Sequence, residues 1–204
     1  MAAKSLQELF VEELRDAYDG ENRLTKALPK MAKAAEHPEL RTAFTDHLRE
    51  TERQIARLEQ VFKTVGETPR GKKCDGIIGI VEEGKSAMEE LDGAVLDAAL
   101  IAGAQRVEHY EIAAYGTLAY FAGLLGNERA KELLGATLEE EKAADRKLND
   151  IAKSRVNRDA LMSAGMDEGG NGGPGAARTN GARRSPGRRT GGARSSGRGR
   201  KRSM

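Results

Sequence analysis

The chain of 204 residues has no tryptophan, and only 4% of it is aromatic. A fold that relies on stacked rings or on aromatic-rich strands is therefore disfavoured, and the abundance of Ala, Leu, Glu and Lys points to helices. There is one cysteine, Cys74, which excludes an intramolecular disulfide and suits a reducing compartment. No apolar run approaches the length needed to span a bilayer, and the start "MAAKSLQELF" has no apolar core of a secretory signal. These absences lead to the expectation of a cytoplasmic protein with no membrane partner.

Acidic residues are scarce in one part of the chain only. Residues 153–204 carry 13 Lys+Arg against 3 Asp+Glu, a balance of +10, whereas residues 1–152 carry 21 against 29, a balance of −8. The overall charge of +2 conceals this division, and the two parts are read separately.

In the acidic part, Ser5 followed by Glu8 forms a capping box, and it opens a helix predicted to reach about Glu36. Leu14, Ala17, Tyr18, Glu21, Leu24 and Leu28 share one face at helical spacing. Pro38 stands at a first-turn position and starts a second helix to about Val65, whose buried side carries Leu40, Phe44, His47, Leu48, Thr51, Ile55, Leu58 and Phe62. A shorter helix over about Asp75–Leu91 reads as a crossover. A third long helix runs from about Val95 to Leu125, and after "GNE" at 126–128 a fourth runs to about Lys153, with Leu134, Leu138, Glu141, Asp145 and Leu148 on one face. Two short links and one long one give the connectivity of a four-helix bundle. The two hairpins also match at a constant offset of 90 residues, without a gap: Val11 with Ile101, Glu21 with Glu111, Leu28 with Leu118, Phe44 with Leu134, Leu58 with Leu148.

The third long helix raises a difficulty. Ile101, Ala104, Leu118 and Phe121 set its apolar stripe, and Glu108, Glu111 and Tyr115 continue it. Glu21, Glu141 and Asp145 lie on the stripes of other helices, with Glu50 at a stripe edge and His47 one turn before it. For the fourth helix the stripe selects Glu141 and the repeat selects Glu140; the stripe is preferred because Asp145 follows on the same face. Ionised carboxylates buried without partners cost several kcal/mol each, and no Lys or Arg lies on these stripes. Bound divalent cations resolve the conflict, and oxygen ligands with an imidazole suit iron or manganese. Tyr18 and Tyr115, one turn from Glu21 and Glu111, are candidate hydrogen-bond partners of the ligands.

"LRDAYDGENRL", "HLRETERQ", "EHYEIAAYGTL" and "LEEEKAADRKL" resemble the YciE/YciF family of ferritin-like, rubrerythrin-related stress proteins over roughly residues 5–153. The resemblance implies an all-α, ferritin-like antiparallel four-helix bundle with a crossover helix and a centre of two iron or manganese ions, often in a homodimer. It implies the metal ligands Glu21, His47, Glu50, Glu108, Glu111, Glu141 and Asp145, and redox chemistry with dioxygen or peroxide in stress protection. The chain departs from the superfamily pattern of Glu-x-x-His on the second and fourth helices. The second carries His47-x-x-Glu50, in reverse order, and the fourth carries Glu141-x-x-x-Asp145 without histidine.

Residues 154–204 read as a disordered Gly/Arg-rich tail, since half of the 24 glycines fall after residue 164 and no core can form from such composition. Arg183, Arg184, Arg188, Arg189, Arg194, Arg198, Arg200, Lys201 and Arg202 stand there with no acid among them. The expectation is non-specific contact with DNA or RNA through phosphate neutralisation, and with it association with the nucleoid. The alternative function is a non-enzymatic helical stress protein that acts through this tail.

Overall fold

The computed structural model describes residues 4–163. Its helices are α1 (Leu6–Ala34), α2 (Pro38–Thr64), α3 (Asp75–Glu90), α4 (Gly93–Leu124), α5 (Glu128–Ile151) and α6 (Asn157–Ser163), with a π-helical turn (Ala152–Val156) joining α5 to α6. There is no strand among the described residues. The ends form where local chemistry sets them. The Ser5 hydroxyl accepts from the Glu8 N–H at 3.1 Å, and Pro38 occupies the first turn of α2. Gly126 closes α4 with φ +71°, a conformation that glycine reaches without a Cβ penalty, and the Asn127 N–H then bonds the Ala122 carbonyl at 2.9 Å. Asn127 in turn caps α5 through the Ala130 N–H.

The four long helices form a ring. α1 packs on α2 and α4, and α5 packs on the same two, while α3 lies against α1 and α4. The close approach of α3 to α4 depends on Gly76, where a Cβ would sit 2.5 Å from the Tyr110 ring.

The apolar core is in two blocks. One gathers Leu24, Leu28, Leu40, Phe44, Leu100, Ile101, Ala104 and Leu148 with their neighbours. The other gathers Phe10, Leu14, Leu58, Phe62, Tyr115, Leu118 and Leu134. Between them, in sequence order along every long helix, fall the buried polar residues Glu21, His47, Thr51, Gln54, Glu108, Glu111, Thr137 and Glu141.

Two features depart from the sequence reading. Helical structure continues past residue 153 to Ser163, and Val156 is buried in the first apolar block. Val156 follows Leu148 and Ala152 of the same block at spacings of eight and four residues, so the α5 stripe continues through the π turn. The rest of the predicted tail, including Arg183 to Arg202, lies outside the described residues. The second feature is Asp97, a buried residue of α4. Its carboxylate accepts from the Glu36 N–H at 2.9 Å and the His37 N–H at 2.7 Å, fastening the α1–α2 corner to α4. Asp97→Ala would strand both donors, at about 1–3 kcal/mol each. Its melting temperature should fall by about 10 °C at about 2–4 °C per kcal/mol, with Asp97→Asn losing roughly half as much because one acceptor remains. A thermal melt of the two variants checks this, and unchanged melting in both would show that the clip does not bear on stability.

Candidate metal centre

Each long helix turns one or more polar side chains into the layer between the apolar blocks, because each interrupts its own apolar stripe there. Glu21 comes from α1 and is fully buried, as is Glu141 from α5; Glu108 and Glu111 from α4 and His47 from α2 are nearly so. His47, Glu108, Glu111 and Glu141 each offer one ligand atom, and these four atoms all lie within 4.8 Å of one another. His47 Nε2 is 3.4 Å from Glu108 Oε1 and 3.9 Å from Glu141 Oε2.

The other residues expected at the site fall around this group. Glu21 is buried beside it, and the Tyr115 hydroxyl donates to its Oε1. Glu50 sits at the edge, its side chain 36% exposed and 3.5 Å from His47 Nδ1. Asp145 is outside the group, and its carboxylate accepts from Gln105 at 3.2 Å and Asn149 at 3.2 Å. Tyr18 donates to Glu59 at 3.2 Å, not to a layer carboxylate. Of the three adjacent glutamates in α5, Glu141 faces inward, and Glu140 binds Arg57 with both oxygens, at 2.8 and 2.9 Å.

Sequence reasoning passed over three polar residues here. Gln54, buried on the Thr51 stripe, donates to Glu141 and to Glu140 at 3.2 Å. Thr137, one turn before Glu141, accepts from Arg57 at 2.7 Å. Arg57 is not on a stripe, but its guanidinium reaches the layer and is committed to Glu140 and Thr137. Spacing alone gave a signal for Gln54 and Thr137, since each lies three or four residues from a stripe member. Arg57 gave none, because its head reaches the layer from beside the stripe.

Electrostatically the layer is under-compensated. Burial pushes the Glu21, Glu108 and Glu111 carboxyls well above the usual range, and neighbouring carboxylates push them further. Glu141 is raised by burial, with His47 opposing. At the rim, Glu50 is lowered by the adjacent His47. One oxygen each of Glu21, Glu108, Glu111 and Glu141, and both ring nitrogens of His47, are buried without a hydrogen-bond partner. Buried polar atoms in folded proteins are nearly always partnered, so the orphaned atoms of this layer fit a cation. Three carboxylates and one imidazole at this spacing form a donor set suited to iron or manganese.

A cavity of about 130 Å³ leads to this group from the α2–α5 side. Its lining is largely apolar, including Leu24, Leu28, Phe44, Ala104 and Leu148, and it also includes His47, Glu50 and Glu108. Lys147 and Asp46, an ion pair at 3.5 Å, stand among its lining residues.

The family model described as "Domain of unknown function (DUF892)" matches residues 5–161. The chain belongs to this family. The DUF892 match extends through the π turn and into α6. Protein YciF of Escherichia coli strain K12 is 46% identical over 166 residues, 80% of this chain and all of that one. The resemblance to the YciE/YciF group is thus shown for most of the chain. Among solved structures, the E. coli stress protein YciF matches with TM-score 0.74 and 46% identity over 76% of this chain and 99% of that one. YcfI from Rhodopseudomonas palustris matches with TM-score 0.69 and 48% identity over 72% and 94%. A two-domain protein of Anabaena variabilis with DJ-1/ThiJ/PfpI-like and ferritin-like domains matches with TM-score 0.55 at 18% identity, over 85% of this chain and 42% of that one. At that identity the likeness concerns fold alone. No helix among the described residues is long and apolar enough to cross a membrane.

Proposed function

We propose that the protein is a ferritin-like metal–carboxylate protein that binds iron or manganese at mid-bundle and carries out redox chemistry with dioxygen or peroxide in stress protection. The observation that carries this reading is the convergence of His47, Glu108, Glu111 and Glu141, each with a buried donor atom that has no hydrogen-bond partner. When bound, the metal would supply Lewis acidity and electron transfer to a small oxidant. The chain's own residues supply the rest. His47, Glu108, Glu111 and Glu141 hold the ion. Gln54 orients Glu141, so that carboxylate is held by a donor before any ion arrives. The apolar walls of the cavity limit water at the His47–Glu108 edge while leaving room for a molecule of the size of dioxygen or hydrogen peroxide.

The experiment is elemental analysis with an optical spectrum on full-length protein expressed with supplementary iron or manganese. Stoichiometric metal, with a spectrum that changes on adding peroxide, is the expected result. Protein free of both metals after supplementation would leave the reading without its basis.

The segregation of charge favours an additional role. Residues 153–204 carry a balance of +10, and we propose that they attach the protein to nucleic acid. Such contact would bring the metal chemistry to the nucleoid.

A further inference from the structure

The 90-residue repeat predicts a layer with two equivalent halves. In the structure the donors are not equivalent. We infer that the layer binds one ion per chain, among His47, Glu108, Glu111 and Glu141, and that the repeat-related position is closed to a second ion. This rests on the metal reading above and concerns its number and place.

The repeat pairs Glu21 with Glu111, Thr51 with Glu141, Tyr18 with Glu108, and Thr137 with His47. Only the first pair keeps a metal-binding donor on both sides. The occupied position would have three carboxylates and an imidazole. Its counterpart would have one carboxylate, Glu21, and three neutral hydroxyls. Two of those hydroxyls are engaged elsewhere: Tyr18 donates to Glu59, and Thr137 accepts from Arg57. One oxygen of Glu21 is engaged by Tyr115. Gln54, the repeat mate of Ala144, is a neutral amide that donates toward Glu141 and Glu140, so its NH₂ is turned to the carboxylates of α5. Arg57 adds a positive charge on the same side, fixed by Glu140. Among the described residues, Glu21 belongs to no group of three or more close metal-binding side chains. A two-metal centre in such a bundle draws a Glu from each of two helices and a Glu-x-x-His pair from each of the other two, and a position with one carboxylate and three hydroxyls lacks that complement.

The test is titration of metal-free, full-length protein with Mn²⁺, reading bound ion by equilibrium dialysis and the electron paramagnetic resonance spectrum of the complex. Saturation at one ion per chain, with the six-line signal of an isolated Mn²⁺, is expected. Saturation at two with an exchange-coupled spectrum overturns the inference and leaves the proposed function standing. No binding overturns both. Glu21→Gln should still saturate at one ion. Outer-shell partners commonly carry about ten- to hundredfold in affinity, so the number at saturation, not the Kd, is the readout, and zero ions in Glu21→Gln overturns the inference. Replacing the neutral donors by Thr51→Glu with Gln54→His should raise saturation to two. A folded double variant that stays at one shows that missing donors are not what closes the position, and the inference falls. Circular dichroism of the variant establishes that it is folded, and if it is not, the wild-type and Glu21→Gln titrations decide.

Discussion

Metal-free protein is expected to melt about 10 °C below metal-loaded protein, and Glu111→Gln is expected to remove that difference. A ligand that binds only the folded state, at a thousandfold excess over its Kd, stabilises by about 4 kcal/mol, and for a domain of this size that corresponds to about 2–4 °C per kcal/mol. Glu111 is buried at 4% exposure and belongs to the four-residue ligand group, so a neutral amide of the same shape there takes away a charged ligand without opening a void. In the metal-free state the same change should act in the opposite direction. Burial, and then the charges of Glu21 and Glu141, hold the Glu111 carboxyl well above its ordinary value. A carboxyl raised in the folded state is equally protonated in both states below its unfolded value, so Glu111→Gln is then neutral. As pH rises, the unfolded chain ionises first, and folding loses stability until the folded value is passed. The advantage of metal-free Glu111→Gln over metal-free wild type should therefore grow from about pH 4 upward. Differential scanning calorimetry of both proteins, with and without chelator across pH, gives the two results together. A variant that keeps the full metal-dependent shift would remove Glu111 from the ligand set.

The second large effect concerns the basic segment. Truncation after residue 163 is expected to abolish binding to duplex DNA, while full-length protein binds in a strongly salt-dependent way. If six to ten phosphates are neutralised, affinity falls on the order of a thousandfold or more between about 50 and 200 mM salt. Sequence preference should be slight, because the segment offers charge without aromatic residues to stack on bases. The helical part cannot take over this role, since residues 1–152 carry a balance of −8 and repel phosphate. Because Val156 packs in the core, the cut belongs after α6; a cut at 153 would remove a buried side chain and confuse loss of binding with loss of fold. Gel-shift titration of both forms at two salt concentrations is the measurement, and equal binding by the two forms would end the assignment.

What the sequence made legible follows from local rules. Ser5, Pro38 and Gly126 mark helix ends through short-range chemistry, and the inward carboxylates are visible because 3.6-residue periodicity is indifferent to whether a stripe residue is polar. The same rules fail where geometry is long-range or irregular. Asp97 contacts backbone about 60 residues away, and no local pattern encodes that. Arg57 joins Glu140 across the α2–α5 interface, a pairing that depends on the rotation of both helices. Val156 keeps the spacing of Leu148 and Ala152, but it stands alone among Lys153, Ser154, Arg155, Asn157 and Arg158, so one apolar residue gives periodicity little to act on. Glu50 is on the right helix but at its stripe edge, where a small rotation decides exposure, and it lies 36% exposed.

The polar layer also divides the rods into two mechanical segments. Seventeen buried residues lie in one apolar block and eleven in the other, and the continuous helices α1, α2, α4 and α5 pass through both. Local openings in proteins follow such cooperative units. With the layer's charges unbalanced, the smaller block, at the end holding Phe10, Phe62 and Leu134, has the weaker tie to its neighbour. Its amides should then exchange with solvent ahead of those around Leu28 and Phe44. A cation clasped by α2, α4 and α5 at the junction would couple the two ends, so that exchange slows in the smaller block and the whole bundle opens as one.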